Sequence, residues 1–309
     1  MVKRILDTPP RDLLEMNAAE LKESIQLAEC RTIAAEIGTS STPLVDGITN
    51  GELVAGLGAD LVICNLYDVL SPVILGLPEA LRDDLEGARV DQPLQKLRAL
   101  IGRPIGINLE PMEDYTESQR GRIANRENAL LALDQGCDIL IVTGNPATGV
   151  TKETIARATE QIKSELGDQI LLVAGKMHSA GIHGESGREL VDADDIRNYC
   201  SAGCDAVVVP CPAASAGFTV EDVRELVQVA HENEALAWLI LDAALEGSYG
   251  DVVKQLGLYA RMTGADVYEI GDAGFAVNAM AVPDNILTFS IAVRGRRHTF
   301  RRMALSHLR

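Results

Sequence analysis

Four stretches of this chain repeat one phrase: "GLGADLVIC" at 56–64, "DQGCDILIV" at 134–142, "SAGCDAVVV" at 201–209 and "MTGADVYEI" at 262–270. Each runs Gly, then Ala or Cys, then Asp, then four or five mostly apolar residues. A Gly in the left-handed conformation ends a helix, and a short polar residue then opens a buried strand. Four more apolar runs lack the phrase: "RTIAAEIG" (31–38), "RPIGINLEP" (103–111), "QILLVAGK" (169–176) and "ALAWLILDA" (235–243).

That makes eight strands, with helical patterns between them such as "ANRENALLALDQG", "KETIARATEQIKSELG" and "TVEDVRELVQVAHEN". Several of these open on a capping Asn, Asp or Thr followed by early acids. Eight strands alternating with helices over 309 residues predict an α/β fold, a (β/α)₈ barrel. An open doubly wound sheet is the alternative, but the chain lacks the Gly-rich dinucleotide fingerprint that would favour it. The segment "DLLEMNAAELKESIQLAE" ahead of the first strand predicts one helix able to plug the barrel floor. The expected division is a single domain: an N-terminal helix in 1–30, eight βα units in 31–275 and a helical tail in 276–309.

Composition narrows the partners. Lys and Arg number 28 against 45 Asp and Glu, a formal net charge of −17, which opposes binding to nucleic acid or anionic membranes. No apolar run approaches the ~20 residues of a membrane span, and the N-terminus lacks a signal-peptide pattern. The six cysteines sit mostly in or beside apolar runs without a CxxC pair, so a cytoplasmic protein with buried free thiols is expected.

In a barrel, residues of one parity point inward, and chemistry gathers at the carboxyl ends of the strands. One parity gives Thr32, Ala34 and Glu36 on the first strand, and Leu61, Ile63 and Asn65 on the second. The third gives Gly106, Asn108 and Glu110; the fourth gives Ile141, Thr143 and Asn145. The fifth ends in Lys176 and His178, read as sharing a face with Ile170, Leu172 and Ala174. The seventh ends in Asp242 with Glu246 beyond, while the eighth offers Glu269 on one parity and Asp272 on the other. The polar groups all come late in their strands, as an enzyme site at a barrel mouth requires.

Within that ring, Lys176, His178, Glu110, Glu36 and Asp242 are the candidate catalytic residues. A desolvated lysine can be a Schiff-base nucleophile, or it can hold an anionic substrate, or pair with Glu110 or Glu36. Glu36, Glu110 and Asp242 are also the set that would ligate Mg²⁺ or Mn²⁺. Asn65 and Asn108 are expected to orient the substrate. The loop "TGNPATGVT", with Thr143, Asn145, Thr148 and Gly149, precedes a helix and suits an oxyanion. "IGDAGFAVNAM" adds Gly271, Asp272 and Gly274 where barrels often hold phosphate. The long fifth loop, carrying His183, reads as a lid. The long second loop is expected to cover the mouth or meet a neighbouring copy of the chain, and the basic tail "RGRRHTFRRMALSHLR" reads as an exposed last helix packing on an acidic surface or on a second copy.

The segments "NLEP", "TGNPATGVT", "AGKMHSAG", "MTGADVYEIGDAGF" and "RGRRHTFRRMA" resemble an uncharacterised bacterial family of barrel proteins, over residues from about 12 to 305. Members of that family carry the label "haloacid dehalogenase-like hydrolase". The resemblance implies the barrel fold. A dehalogenase-type nucleophile needs DxD directly after a buried strand, whereas the DxD here, Asp192 and Asp194, reads as a helix cap. The layout is also loosely similar to phosphate-handling barrels of the aldolase and phosphoenolpyruvate type. The expectation is therefore an enzyme for a small anionic, phosphorylated metabolite, with lyase chemistry first and metal-dependent hydrolysis second. A non-catalytic barrel that senses a metabolite or scaffolds a partner is the alternative of another class.

Overall fold

A computed structural model of the chain describes residues 1–78, 90–145, 148–178, 184–242, 245–273 and 281–305. Strands β1 (Thr32–Gly38), β2 (Leu61–Asn65), β3 (Ile105–Leu109), β4 (Ile139–Val142), β5 (Leu171–Ala174), β6 (Ala206–Pro210), β7 (Leu236–Leu241) and β8 (Val267–Ala273) pair in parallel and in sequence order. β8 returns to β1, so the sheet closes into the predicted (β/α)₈ barrel. Every strand residue is buried, because the barrel interior covers one face and the helices cover the other.

The N-terminal segment departs from its reading as one helix. It forms α1 (Pro10–Leu14) and α2 (Ala18–Gln26), because Asn17 starts a new helix: its side chain accepts the Glu20 amide while Glu20 takes the Asn17 amide. Leu13 of α1, with Leu21 and Ile25 of α2, packs among Leu61, Ile139, Leu171, Ala206, Leu236 and Val267, so these helices do plug the barrel floor.

The repeated phrase has a structural counterpart. Gly58, Gly136, Gly203 and Gly264 all have positive φ, between 79° and 102°. The aspartate two positions later docks on the strand before its own. Asp60, Asp138, Asp205 and Asp266 accept the backbone N–H of Ile33, Ile105, Leu172 and Ala237 at 2.9, 2.9, 3.0 and 2.9 Å. Each aspartate amide donates back to the carbonyl of that same residue. Two buried backbone groups are thereby satisfied at the start of every odd-numbered strand.

Each carboxylate also takes a basic side chain from the helix that precedes the odd strand. Arg98 of α4 (Pro93–Ile101) holds Asp138 through two 2.8 Å bonds; α3 (Asn50–Gly56) lies earlier in the chain. After α5 (Arg126–Asp134), Lys163 of α6 (Lys152–Leu166) reaches Asp205 at 3.3 Å. After α7 (Ala193–Ser201), His231 of α8 (Val220–Glu232) meets Asp266 at 2.8 Å. After α9 (Gly250–Thr263), α10 (Pro283–Ala304) comes last in the chain, yet it fills the place before β1 and gives Arg294 and Arg302 to Asp60 at 2.5 and 2.6 Å. The barrel is thus four quarters of two βα units, the first quarter completed by the C-terminal helix.

The basic tail is corrected in part: Arg296, Arg297 and Arg301 are exposed as read, but Arg294 and Arg302 are buried and clamp α10 to Asp60 at the start of β2. Asp192 and Asp194 behave as read: Asp192 caps α7, accepting the amides of Asp194 and Asp195.

Candidate functional site

Inside the barrel, Ala34, Leu61, Ile63, Ile139, Ile141, Leu171, Val173, Ala206, Val208, Trp238, Ile240 and Val267 fill the floor. Above them, β1, β2 and β3 present Glu36, Asn65 and Asn108, in the parity read from the sequence, and all three are buried. A one-residue bulge decides β8. Ala35 pairs with Ile270 but Ile37 pairs with Ala273, so β8 spends one extra residue against β1. Glu269 and Asp272, on opposite parities in a regular strand, consequently both join the interior group. Gly271 sits in the bulge, where a Cβ would stand 3.2 Å from the Leu241 carbonyl and 3.3 Å from the Asp242 carboxylate. Its lack of a side chain lets β8 lie close to β7.

These groups form a connected chain. The Asn108 amide donates to Glu36 at 2.5 Å and to Asn65 Oδ1 at 3.3 Å. The Asn65 amide donates to Asp272 at 3.1 Å. The Trp238 indole N–H donates to Glu269. Toward solvent, His178 Nε2 lies 3.0 Å from Asp242 Oδ2. Burial, with the neighbouring carboxylates of Asp272, Glu269 and Asp242, pushes Glu36 well above the ordinary carboxylate range. Burial raises Glu269 to about 8 against the donated Trp238 N–H, and Asp242 and Asp272 add to the rise. Burial likewise raises Asp272 to about 7, helped by Asp242 and Glu246 and opposed by the Asn65 bond and by His178.

Among the described residues, three buried side-chain oxygens of this group, Asn108 Oδ1, Glu269 Oε1 and Asp272 Oδ1, lack a hydrogen-bond partner, as does Thr143 Oγ1 just past the end of β4, on the inward parity of Ile139 and Ile141. A buried unpaired polar atom costs about 1–3 kcal/mol, so several together favour a site that a ligand or ordered water fills.

Other expected site residues have partners outside this set of contacts. On β5, Leu171 and Val173 face the interior, whereas Ile170, Leu172 and Ala174 pack outward under the helices. The parity read for this strand is therefore reversed. Lys176 lies beyond the strand's last residue, is buried, and pairs with Glu185 at 2.6 Å rather than with Glu110 or Glu36. Its charge also helps hold Glu153, in the first turn of α6, below the usual carboxylate range, behind that residue's own backbone bond and the Thr151 side chain. Glu110 accepts the Asn145 amide at 3.0 Å and lies 3.7 Å from Arg122.

Among the described residues, no three His, Cys, Asp or Glu side chains stand together as an ion would require, so Glu36, Glu110 and Asp242 are not brought into one metal-sized group. In the fourth loop the Asn145 N–H is spent on Glu110, and the Thr148 hydroxyl donates to the Asn145 carbonyl. Gly149 has φ 71° and open space around it. Gly274, His183 and residues 79–89 of the second loop lie outside the described residues. Trp238, Arg122 and Glu185 went unnoticed in the sequence. Only Trp238 carried a signal, as the sole tryptophan on the inward parity of Asp242.

The fold and this interior group define a (β/α)₈-barrel protein with a buried polar site at the carboxyl ends of its strands. Among the described residues no helix is long and apolar enough to cross a membrane. The chain belongs to the family of the domain of unknown function DUF7916, whose model matches residues 6–309. No curated protein matches it. Among solved structures it is similar to a chain of the Amycolatopsis orientalis BexX/CysO complex, with 16% identity, TM-score 0.48, and 88% of this chain and 89% of that one covered. It is similar to thiamine phosphate pyrophosphorylase from Pyrococcus furiosus, with 10% identity, TM-score 0.45, and 86% and 98% covered. It is also similar to a monomeric dihydrodipicolinate synthase variant, with 12% identity, TM-score 0.45, and 77% and 68% covered.

Proposed function

We propose that this protein is an enzyme that takes a small polar metabolite into the barrel mouth and cleaves a carbon–carbon or carbon–oxygen bond in it by proton transfer. The observation that carries the reading is the ring of four buried, unpartnered oxygens on Asn108, Thr143, Glu269 and Asp272. Lyase chemistry needs one group to take a proton and another to return it. The His178–Asp242 pair is the base, the aspartate orienting the imidazole. Asp272, raised to about 7, and Glu269, raised to about 8, are acids that still hold protons near neutrality.

Lys176 is given no chemical step here, since its ammonium is held by Glu185 at 2.6 Å. A metabolite-sensing barrel would use the same four oxygens, and turnover separates the two readings. Pooled small metabolites incubated with the enzyme in D₂O and followed by mass spectrometry should show at least one compound cleaved or deuterated. His178→Gln and Asp242→Asn should abolish that change. Variants that act on the pool as wild type does would refute the assignment, and binding without turnover would favour the sensor.

A further inference from the structure

We propose that the group received by this mouth is a primary ammonium carried by a small metabolite; the inference rests on the small-molecule reading above and names its substrate class. It follows from which polar atoms are already spent. The Asn108 amide is used on Glu36 and Asn65, the Asn65 amide on Asp272, and the Trp238 indole on Glu269. What remains unpartnered is a carboxylate oxygen on each of Glu269 and Asp272, the Asn108 carbonyl, and one hydroxyl, Thr143. Three of the four can accept but carry no N–H to give.

A phosphate or carboxylate brings acceptors and negative charge, and meets the same in return. Among the described residues Arg122, Lys176 and His178 do not relieve this, because each already faces an acid: Arg122 faces Glu110, Lys176 faces Glu185 and His178 faces Asp242. An ammonium is the complement, with three donors, no acceptor and one positive charge. Glu269 and Asp272 hold protons near neutrality with no cation paired against them among the described residues, and would release them as the ammonium supplies a counter-charge to the buried group they form with Glu36. A metal ion fits less well. It demands oxygens at about 2.0–2.6 Å, and the described residues offer no three acids, histidines or cysteines so grouped. Ammonium–carboxylate bonds of about 2.7–2.9 Å tolerate a wider ring.

Trp238 is the only tryptophan, and it donates to Glu269, so its emission reports the site directly. The test titrates the full chain at constant ionic strength with ethanolamine, ammonium chloride, ethanol, acetate and inorganic phosphate, reading Trp238 fluorescence and heat. Ethanolamine should give a saturable signal about tenfold or more tighter than ethanol, the size of one charge-assisted hydrogen bond. Asp272→Asn and Glu269→Gln should each weaken it about tenfold. Wild-type selectivity for ethanolamine over ethanol decides the matter even where a variant fails to fold. Saturable binding of acetate or phosphate without ethanolamine overturns the ammonium and leaves the small-molecule site standing. Silence toward every probe overturns both.

Discussion

Replacing Glu269 with Gln removes one ionisable group from the buried ring and keeps its shape, including an oxygen to accept the Trp238 indole N–H. The Glu269 carboxyl goes from an ordinary value of 4.5 to about 8 on folding, burial being the main cause. Its folded value is the higher one, so the native state holds the proton more tightly than the unfolded chain does. The stabilisation is complete below about pH 4.5 and is lost as pH rises through about 8. Between about pH 5 and pH 7 the loss amounts to about 2–3 kcal/mol, at 1.36 kcal/mol per pKa unit. Glutamine has no proton to lose. Urea unfolding curves collected across that range should therefore show Glu269→Gln gaining on wild type by about 2–3 kcal/mol as pH rises. A wild-type-minus-variant difference that stays flat with pH would refute the placement of Glu269 among buried carboxylates.

Three further outcomes follow from the same contacts. Asp60→Asn strips the one carboxylate that, among the described residues, pairs with the buried Arg294 and Arg302 side chains, and should cost about 3–5 kcal/mol in urea unfolding. Arg98→Met, at the partly exposed partner of Asp138, should cost less than Asp60→Asn in the same assay. Lys176→Met should fold with a loss of about 1–2 kcal/mol, because Glu185 keeps some contact with water, and should leave Trp238 emission unchanged. A shifted Trp238 spectrum in Lys176→Met would place the lysine inside the ring after all.

The barrel was legible because its phrase does a fixed structural job. Gly58, Gly136, Gly203 and Gly264 must take positive φ, and the following aspartates must bridge to the preceding strand. Inward parity was legible on β1 to β4, where one face alone ended in polar residues. On β5 it was not. A parallel barrel strand is apolar on both faces, and Leu171 and Val173 look no different from Leu172 and Ala174. The lysine that seemed to mark the inner face lies past the strand's end. The β8 bulge that unites Glu269 with Asp272 depends on pairing with β1, more than two hundred residues away in sequence. Distance also hid the partner of the basic tail, since Arg294 and Asp60 are 234 residues apart. The break at Asn17 was within reach, because Asn17 and Glu20 spell a capping box.

If the oxygens left unpartnered above the barrel floor bind an ammonium, a crystal of the full chain soaked with ethanolamine will show it. Density is expected at the carboxyl ends of the strands, with a nitrogen within about 3 Å of Glu269 Oε1 and Asp272 Oδ1. Density seated elsewhere, or a mouth in which protein atoms already occupy those two oxygens, would contradict it.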